Sequence, residues 1–184
     1  MDAISHCVET FCSPRFNPVT DAIAIDGLKR GCDHIKNVVL RGKDLPSRSE
    51  MMMAALLGGL SFQKGLGFIH SLSHPLGGLK GKRLHHGTLN GIFLPHVLRY
   101  NMEACPNKMD AVAAVLGLPN RTNIPHYFER LNKEIGIPNK LSDLGVTAND
   151  LEPLAEIALR DHCSVTNPRA VTLDACRELY SAAL

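Results

Sequence analysis

Hydrophobic residues recur at three- and four-residue steps along almost the whole of this chain, and no stretch alternates apolar with polar residues between hairpin turns. Side chains of an α-helix return to one face about every 3.6 residues, whereas those of a strand alternate, so this spacing predicts an all-α fold, a helical bundle. With 184 residues, 45% of them hydrophobic and 21% charged, the chain can close one core without disulfide or metal staples. No linker, repeat or low-complexity segment divides it, and residues 1–184 read as one domain.

Proline, glycine and capping residues punctuate the helices. The first runs from Met1 to about Phe11 and stops before Ser13-Pro14, because a residue preceding proline is pushed out of the α region. The second starts after Asn17-Pro18 and fades at Gly42. Ser47 with Glu50 has the spacing of a capping box and predicts a third helix running to about Gln63. Its small residues Ala54, Ala55, Gly58 and Gly59 suggest a central, buried helix. The segment from Gly65 to His74 follows, with Pro75 expected to end or bend it. Gly77, Gly78 and Gly81 make a connector to a helix from about His86 to Tyr100. Further helices are expected near 107–116, 124–135, 148–160 and 172–183, the last capped by Thr172.

Several classes are excluded. A net charge of +2 and no basic run longer than Lys80-Gly81-Lys82-Arg83, read as a solvated loop, leave no footprint for nucleic acid. No apolar run reaches the roughly 18 residues of a transmembrane helix. The N-terminus lacks a basic region followed by an apolar signal core, so a cytoplasmic protein with no membrane partner is expected. The six cysteines form no C-x-x-C pair and are expected to be reduced, mostly buried thiols.

Chemistry is concentrated in three segments. Asp2 and His6, and then His70 and His74, stand four residues apart, which on a helix places each pair side by side on one face. A His85-His86-Gly87 step follows. A carboxylate joined by neutral imidazoles suits Fe(II) or Zn(II), whereas Mg(II) and Ca(II) prefer oxygen. Taken singly, Asp2 serves equally as a carboxylate at a helix N-terminus and His6 as a core histidine. His34, His126 and His162 read as surface side chains and His96 as packed or hydrogen-bonded, while Phe62, Phe68 and Leu72 read as core before pocket.

The segments Met1-Asp2-Ala3-Ile4-Ser5-His6-Cys7-Val8-Glu9, Gly65-Leu66-Gly67-Phe68-Ile69-His70-Ser71-Leu72-Ser73-His74-Pro75-Leu76-Gly77-Gly78, His86-Gly87 through Leu94-Pro95-His96-Val97, and Asn167-Pro168-Arg169 together resemble the iron-dependent (group III) alcohol dehydrogenase family, in order and from first residue to last. The resemblance implies the family's dehydroquinate-synthase-like, all-helical C-terminal domain. It implies metal ligands at Asp2, His6, His70 and His86, with Fe(II) as the first expectation and Zn(II) as the second. His74 matches a histidine near the nicotinamide that is proposed to relay the proton, and is expected to be catalytic. The activity implied is NAD- or NADP-dependent oxidation of a small alcohol, or reduction of the aldehyde or ketone.

Two departures bear on these expectations. The connector from His74 looks longer than in relatives, and His85-His86-Gly87 stands where Pro-His-Gly is common, leaving His85 as an alternative ligand to His86. Nothing resembles the glycine-rich segment of a dinucleotide-binding domain, since Gly65-Leu66-Gly67 follows no strand. The chain is therefore expected to lack its N-terminal nucleotide-binding domain, to be inactive alone, and to self-associate through the apolar face left bare. Two alternatives stay open: a zinc-dependent polyol dehydrogenase resembling glycerol dehydrogenases, which uses fewer ligands, and a non-catalytic helical metal-binding remnant.

Overall fold

The computed structural model describes residues 1–79 and 81–184, and among these the regular structure is entirely helical. Nine α-helices follow one another: α1 Asp2–Cys12, α2 Pro18–Leu40, α3 Leu45–Leu60, α4 Phe68–Gly77, α5 His86–Asn101, α6 Pro106–Val115, α7 Ile124–Glu134, α8 Ala148–Arg160 and α9 Leu173–Ala183. Short 3-10 turns occupy Ser61–Lys64, Arg121–Asn123, Leu141–Leu144 and His162–Thr166. No single described helix is long and apolar enough to cross a membrane.

The packing divides into two groups with α1 at their seam. On one side α1 meets the hairpin of α2 and α3; on the other it meets α5 and α4, which pack with α7, α8 and α9. Ile4, Cys7, Val8 and Phe11 recur at helical spacing on α1 and are buried. The polar face of the same helix, Asp2, His6 and Glu9, is thereby aimed at α4 and α5. Three partners hold the far end of α1: the Ser13 hydroxyl donates to the Lys64 carbonyl at 2.7 Å, the buried Lys64 ammonium donates to the Phe11 carbonyl at 3.2 Å, and the Asp21 carboxylate pairs with both Lys64 and Lys108.

Helix ends follow local chemistry in most places. The Asn17 carboxamide accepts the Thr20 N–H at the start of α2, and the Thr172 hydroxyl accepts the Ala175 N–H at the start of α9. Two expectations about α3 are corrected. It begins at Leu45-Pro46, not after Ser47; proline fits the first helical turn, and the Ser47 hydroxyl is turned to the Asp44 carboxylate at 2.6 Å. Nor is α3 central: Ala54 and Gly58 face inward, while Met52, Leu56 and Leu60 are exposed, because the small residues fit only one side of the helix against α1 and α2. Pro75 does not end α4, which continues to Gly77 and forgoes one backbone hydrogen bond. Pro95 lies inside α5 in the same way, and the Gly91 carbonyl that it leaves without a helical donor accepts the Asn132 side-chain N–H at 2.6 Å.

Of the basic run Lys80-Gly81-Lys82-Arg83, Lys80 lies outside the described residues, Arg83 is exposed, and Lys82 is pinned to Asp150 at 2.9 Å. The six cysteines are all free thiols, and five of them are buried.

The close approach of α1, α2 and α3 gives opposite expectations for two glycines. A Cβ on Gly27 of α2 would stand 2.7 Å from the Cys7 sulfur and 3.0 Å from the Leu57 Cβ, whereas one on Gly59 of α3 would meet nothing within 4 Å. In Gly27→Ala, overpacking of ~1–3 kcal/mol outweighs the helix-propensity gain of ~1 kcal/mol, so the urea midpoint falls. In Gly59→Ala only the gain remains, and the midpoint rises by the equivalent of ~0.5–1 kcal/mol.

Candidate metal centre

Asp2 and His6 from α1, His70 from α4 and His86 from α5 each offer one donor atom, and these atoms all lie within 4.8 Å of one another. Asp2 Oδ1 is the hub, 3.2 Å from His6 Nε2, 3.4 Å from His86 Nε2 and 3.5 Å from His70 Nε2. The rings of His6 and His70 are stacked with centroids 4.8 Å apart, and those of His70 and His86 stand 5.3 Å apart. His86 is the histidine of the His85-His86 step that enters this group, whereas His85 is exposed at the start of α5 with its ring against Gly87.

The electrostatics differ among the four groups. Burial alone would raise the Asp2 carboxyl, but its hydrogen bond with His70 and the imidazoles of His6 and His86 hold it well below the usual carboxylate range. Burial lowers His6 to about 4 against the pull of Asp2, and it lowers His86 in the same direction, leaving both rings neutral and able to donate lone pairs at neutral pH. His70 goes the other way. Although burial opposes it, the Glu9 and Asp2 carboxylates raise it to about 9, so without an ion this ring holds a proton between two carboxylates.

Glu9 fixes which proton is exchanged. Its carboxylate, buried between α1 and α4, accepts the Ile69 N–H at 2.6 Å with one oxygen and the His70 Nδ1–H with the other. Nδ1 of His70 is thus committed to Glu9, and Nε2 is the nitrogen left facing Asp2; a divalent ion would take the place of the Nε2 proton. The start of α4, where unpaired N–H groups collect positive potential, favours this carboxylate. Asn167 supplies the companion cap by accepting the Phe68 N–H at 3.2 Å, and it is braced by a reciprocal pair of 2.8 Å bonds with Asn101. The glycines ahead of α4 permit this approach. A Cβ on Gly67 would lie 3.0 Å from the Glu9 carboxylate, and Gly65, at φ +81°, lies against Thr166.

Asn90, one turn beyond His86, completes the wall. Its Nδ2 lies 2.7 Å from Asp2 Oδ1 and 3.1 Å from both His70 Nε2 and His86 Nε2, while its Oδ1 is buried without a partner. One amide nitrogen packed against a carboxylate oxygen and two ring nitrogens, beside an unpaired oxygen, is a crowded arrangement for a carboxamide. Three imidazole nitrogens and one carboxylate oxygen, drawn from three helices, form a donor set that fits a borderline divalent ion.

His74 stands just outside this group. Its ring stacks on that of His86 at 5.5 Å, and its Nδ1 donates to Asp161 Oδ2 at 2.9 Å. Phe62 is partly exposed, with its edge on the His6 ring at 4.5 Å, whereas Phe68 and Leu72 are fully buried core. His126 is exposed and His34 half-buried, while the half-buried His96 lines a cavity of about 500 Å³ between α5 and α7, with Glu129 and Lys133. His162 is exposed but stacks on His74 at 6.1 Å, closer to the site than its polar neighbours in sequence suggested. Glu9, Asn90 and Asp161 were not found from the sequence. Glu9 continues the Asp2-His6 stripe one turn on and Asn90 follows His86 by four residues, so same-face spacing could have found both; Asp161 is far from His74 in sequence and leaves no local signal.

The chain is similar to known proteins along its whole length. The profile of the Fe-containing alcohol dehydrogenase family, C-terminal part, matches residues 1–184. The 4-hydroxybutyrate dehydrogenase of Cupriavidus necator is 45% identical, over 92% of this chain and 46% of its own length. The NAD-dependent methanol dehydrogenase of Bacillus methanolicus is 34% identical, over 100% of this chain and 50% of its own length. A crystal structure of 1,3-propanediol oxidoreductase superposes with a TM-score of 0.95 at 36% identity, covering all of this chain and 50% of that one. The chain belongs to the Fe-containing alcohol dehydrogenase family, and its fold is that of the family's C-terminal domain. It spans about half the length of the relatives it matches.

Because Glu9 fixes the His70 ring, Glu9→Gln should lower the affinity of the centre for Fe(II) by roughly 10–100-fold while leaving the helical circular dichroism unchanged. Competition against a calibrated chelator measures this, and an unchanged affinity would show that Glu9 serves the fold alone.

Proposed function

We propose that this chain is the metal-binding half of an NAD(P)-dependent alcohol dehydrogenase of the iron type, interconverting a small aliphatic alcohol and its aldehyde or ketone. The observation that carries the reading is the convergence of Asp2, His6, His70 and His86 around one point. Asp2, His6, His70 and His86 would hold the ion, with Fe(II) favoured because it accepts open positions beyond four protein ligands more readily than Zn(II) does. When bound there, such an ion supplies Lewis acidity toward an alcohol or carbonyl oxygen. NAD or NADP would accept or donate the hydride, held by a nucleotide-binding domain in the remaining half of the complete protein.

The chain's own residues have the following parts. Glu9 keeps the proton of His70 on Nδ1, and Asn90 packs against the same donor atoms and limits their movement. Asp161 likewise accepts the Nδ1–H of His74, leaving Nε2 of that ring free to take the hydroxyl proton or return it. Phe62 covers the His6 ring and limits the access of water from that side. The names of the relatives, dehydrogenases of 4-hydroxybutyrate, methanol and 1,3-propanediol, support a small, unbranched alcohol.

The apolar side chains exposed along α3 support burial of that face in the complete protein, and association of this chain into a dimer or larger when alone. A cytoplasmic location fits the reading. His6 separates it from the polyol-dehydrogenase reading with fewer ligands. His6→Ala is expected to weaken Fe(II) binding by roughly tenfold or more, and an unchanged affinity would favour the fewer-ligand site. The purified chain alone, loaded with Fe(II), should reduce no NAD or NADP in the presence of small alcohols; measurable turnover would refute the assignment of the nucleotide site to another domain.

A further inference from the structure

A second set of donor groups lies on the far side of His74 from the centre. Asp161 follows α8 and opens the turn His162–Thr166; its Oδ1 accepts the Cys163 N–H at 2.9 Å while its Oδ2 accepts from His74 Nδ1. One donor atom each from His74, Asp161 and Cys163 lies within 4.8 Å of the others. His162 adds a fourth group, with Nε2 3.5 Å from the Cys163 sulfur and Nδ1 3.8 Å from Asp161 Oδ1. Asp161 and Cys163 are largely buried and fixed by the turn, whereas His162 is exposed. Cys163 and His162 also line a cavity of about 270 Å³ with Phe62 and Leu66, which gives a small ion a path to the sulfur.

This set differs in kind from the centre already described, because it contains sulfur. Burial, followed by the Asp161 carboxylate, pushes the Cys163 thiol well above its ordinary value, so the free chain carries a neutral S–H there. A divalent ion removes that proton outright, and thiolate with imidazole selects Zn(II) over harder ions.

We propose that His74, Asp161, Cys163 and His162 form a second metal site, taking a borderline-soft divalent ion, Zn(II) foremost, and separate from the nitrogen and oxygen donors around Asp2. Binding forms a metal–sulfur bond, releases one thiol proton to solvent and changes no oxidation state. Occupation ties up His74, so the ion acts as an inhibitor; this consequence alone rests on the proton-relay role proposed above, while the site itself does not.

The test is a Co(II) titration of the reduced, chelator-stripped chain under anaerobic conditions, followed by absorption. A sulfur-to-cobalt charge-transfer band in the near ultraviolet is expected, bleached by added Zn(II) and retained in Asp2→Ala, which disables the first centre. The band should vanish in Cys163→Ser, and its half-saturation should move to roughly tenfold higher Co(II) in His162→Ala, an exposed position whose replacement leaves the fold intact. Absence of the band from the unmodified chain, its survival in Cys163→Ser, or its loss in Asp2→Ala would each overturn the proposal. Whether the iron-type reading stands is read separately, from Fe(II) binding by the Cys163→Ser chain.

Discussion

A carboxylate buried among helices must have its oxygens satisfied by fixed donors, and Glu9 meets that demand in a way that joins the fold to the site. One oxygen takes a backbone N–H at the start of α4, as a capping side chain would, and the other takes the ring N–H of His70 one residue further on. The same group therefore closes α1 onto α4 and sets the tautomer of a candidate ligand. Moving α1 by a fraction of an ångström would loosen the cap and misdirect the ring together, which is why the close contacts behind α1 matter. Gly27 against Cys7, and Gly58 against the backbone of Ala3, bring α2 and α3 near enough to hold α1 in place.

That arrangement explains the division of labour among the elements. The α1–α3 group supplies Asp2 and His6, the group of α4, α5, α7, α8 and α9 supplies His70, His74 and His86, and the site sits on the seam between them. Each histidine that faces the seam has one ring nitrogen committed or one neighbour stacked on it, so little rotamer freedom is left to be lost on binding. The polar cost of such a seam is met by hydrogen bonds from distant parts of the chain. Asn167 and Asn101 brace each other, Asn167 caps α4, and Asn132 fills the gap that Pro95 leaves in α5.

The helices were legible in the sequence because their signals are local. Apolar period, proline and a capping side chain placed α5 to α9 within a residue or two of their observed ends. The errors came where a local signal competed with another. Ser47 and Glu50 have the spacing of a capping box, yet Pro46 just before them fits the first turn and moves the start back to Leu45. The small residues of α3 did report close packing, but on one face, and periodicity alone could not say that the other face would carry exposed methionine and leucine. Within the site, the i and i+4 pairs could be read directly, while Asp161 could not, since only the folded chain brings it to His74. His162 reads from the sequence as a surface side chain for the same reason, having polar neighbours along the chain and an imidazole neighbour in space.

X-ray absorption at the iron edge, on the chain loaded anaerobically with one equivalent of Fe(II), tests the central claim most directly. The account predicts a first shell of nitrogen and oxygen only, with the outer-shell scattering of about three imidazoles, that collapses in His70→Ala. A sulfur atom in the first shell, scattering from a single imidazole, or failure to retain one equivalent of iron would contradict it.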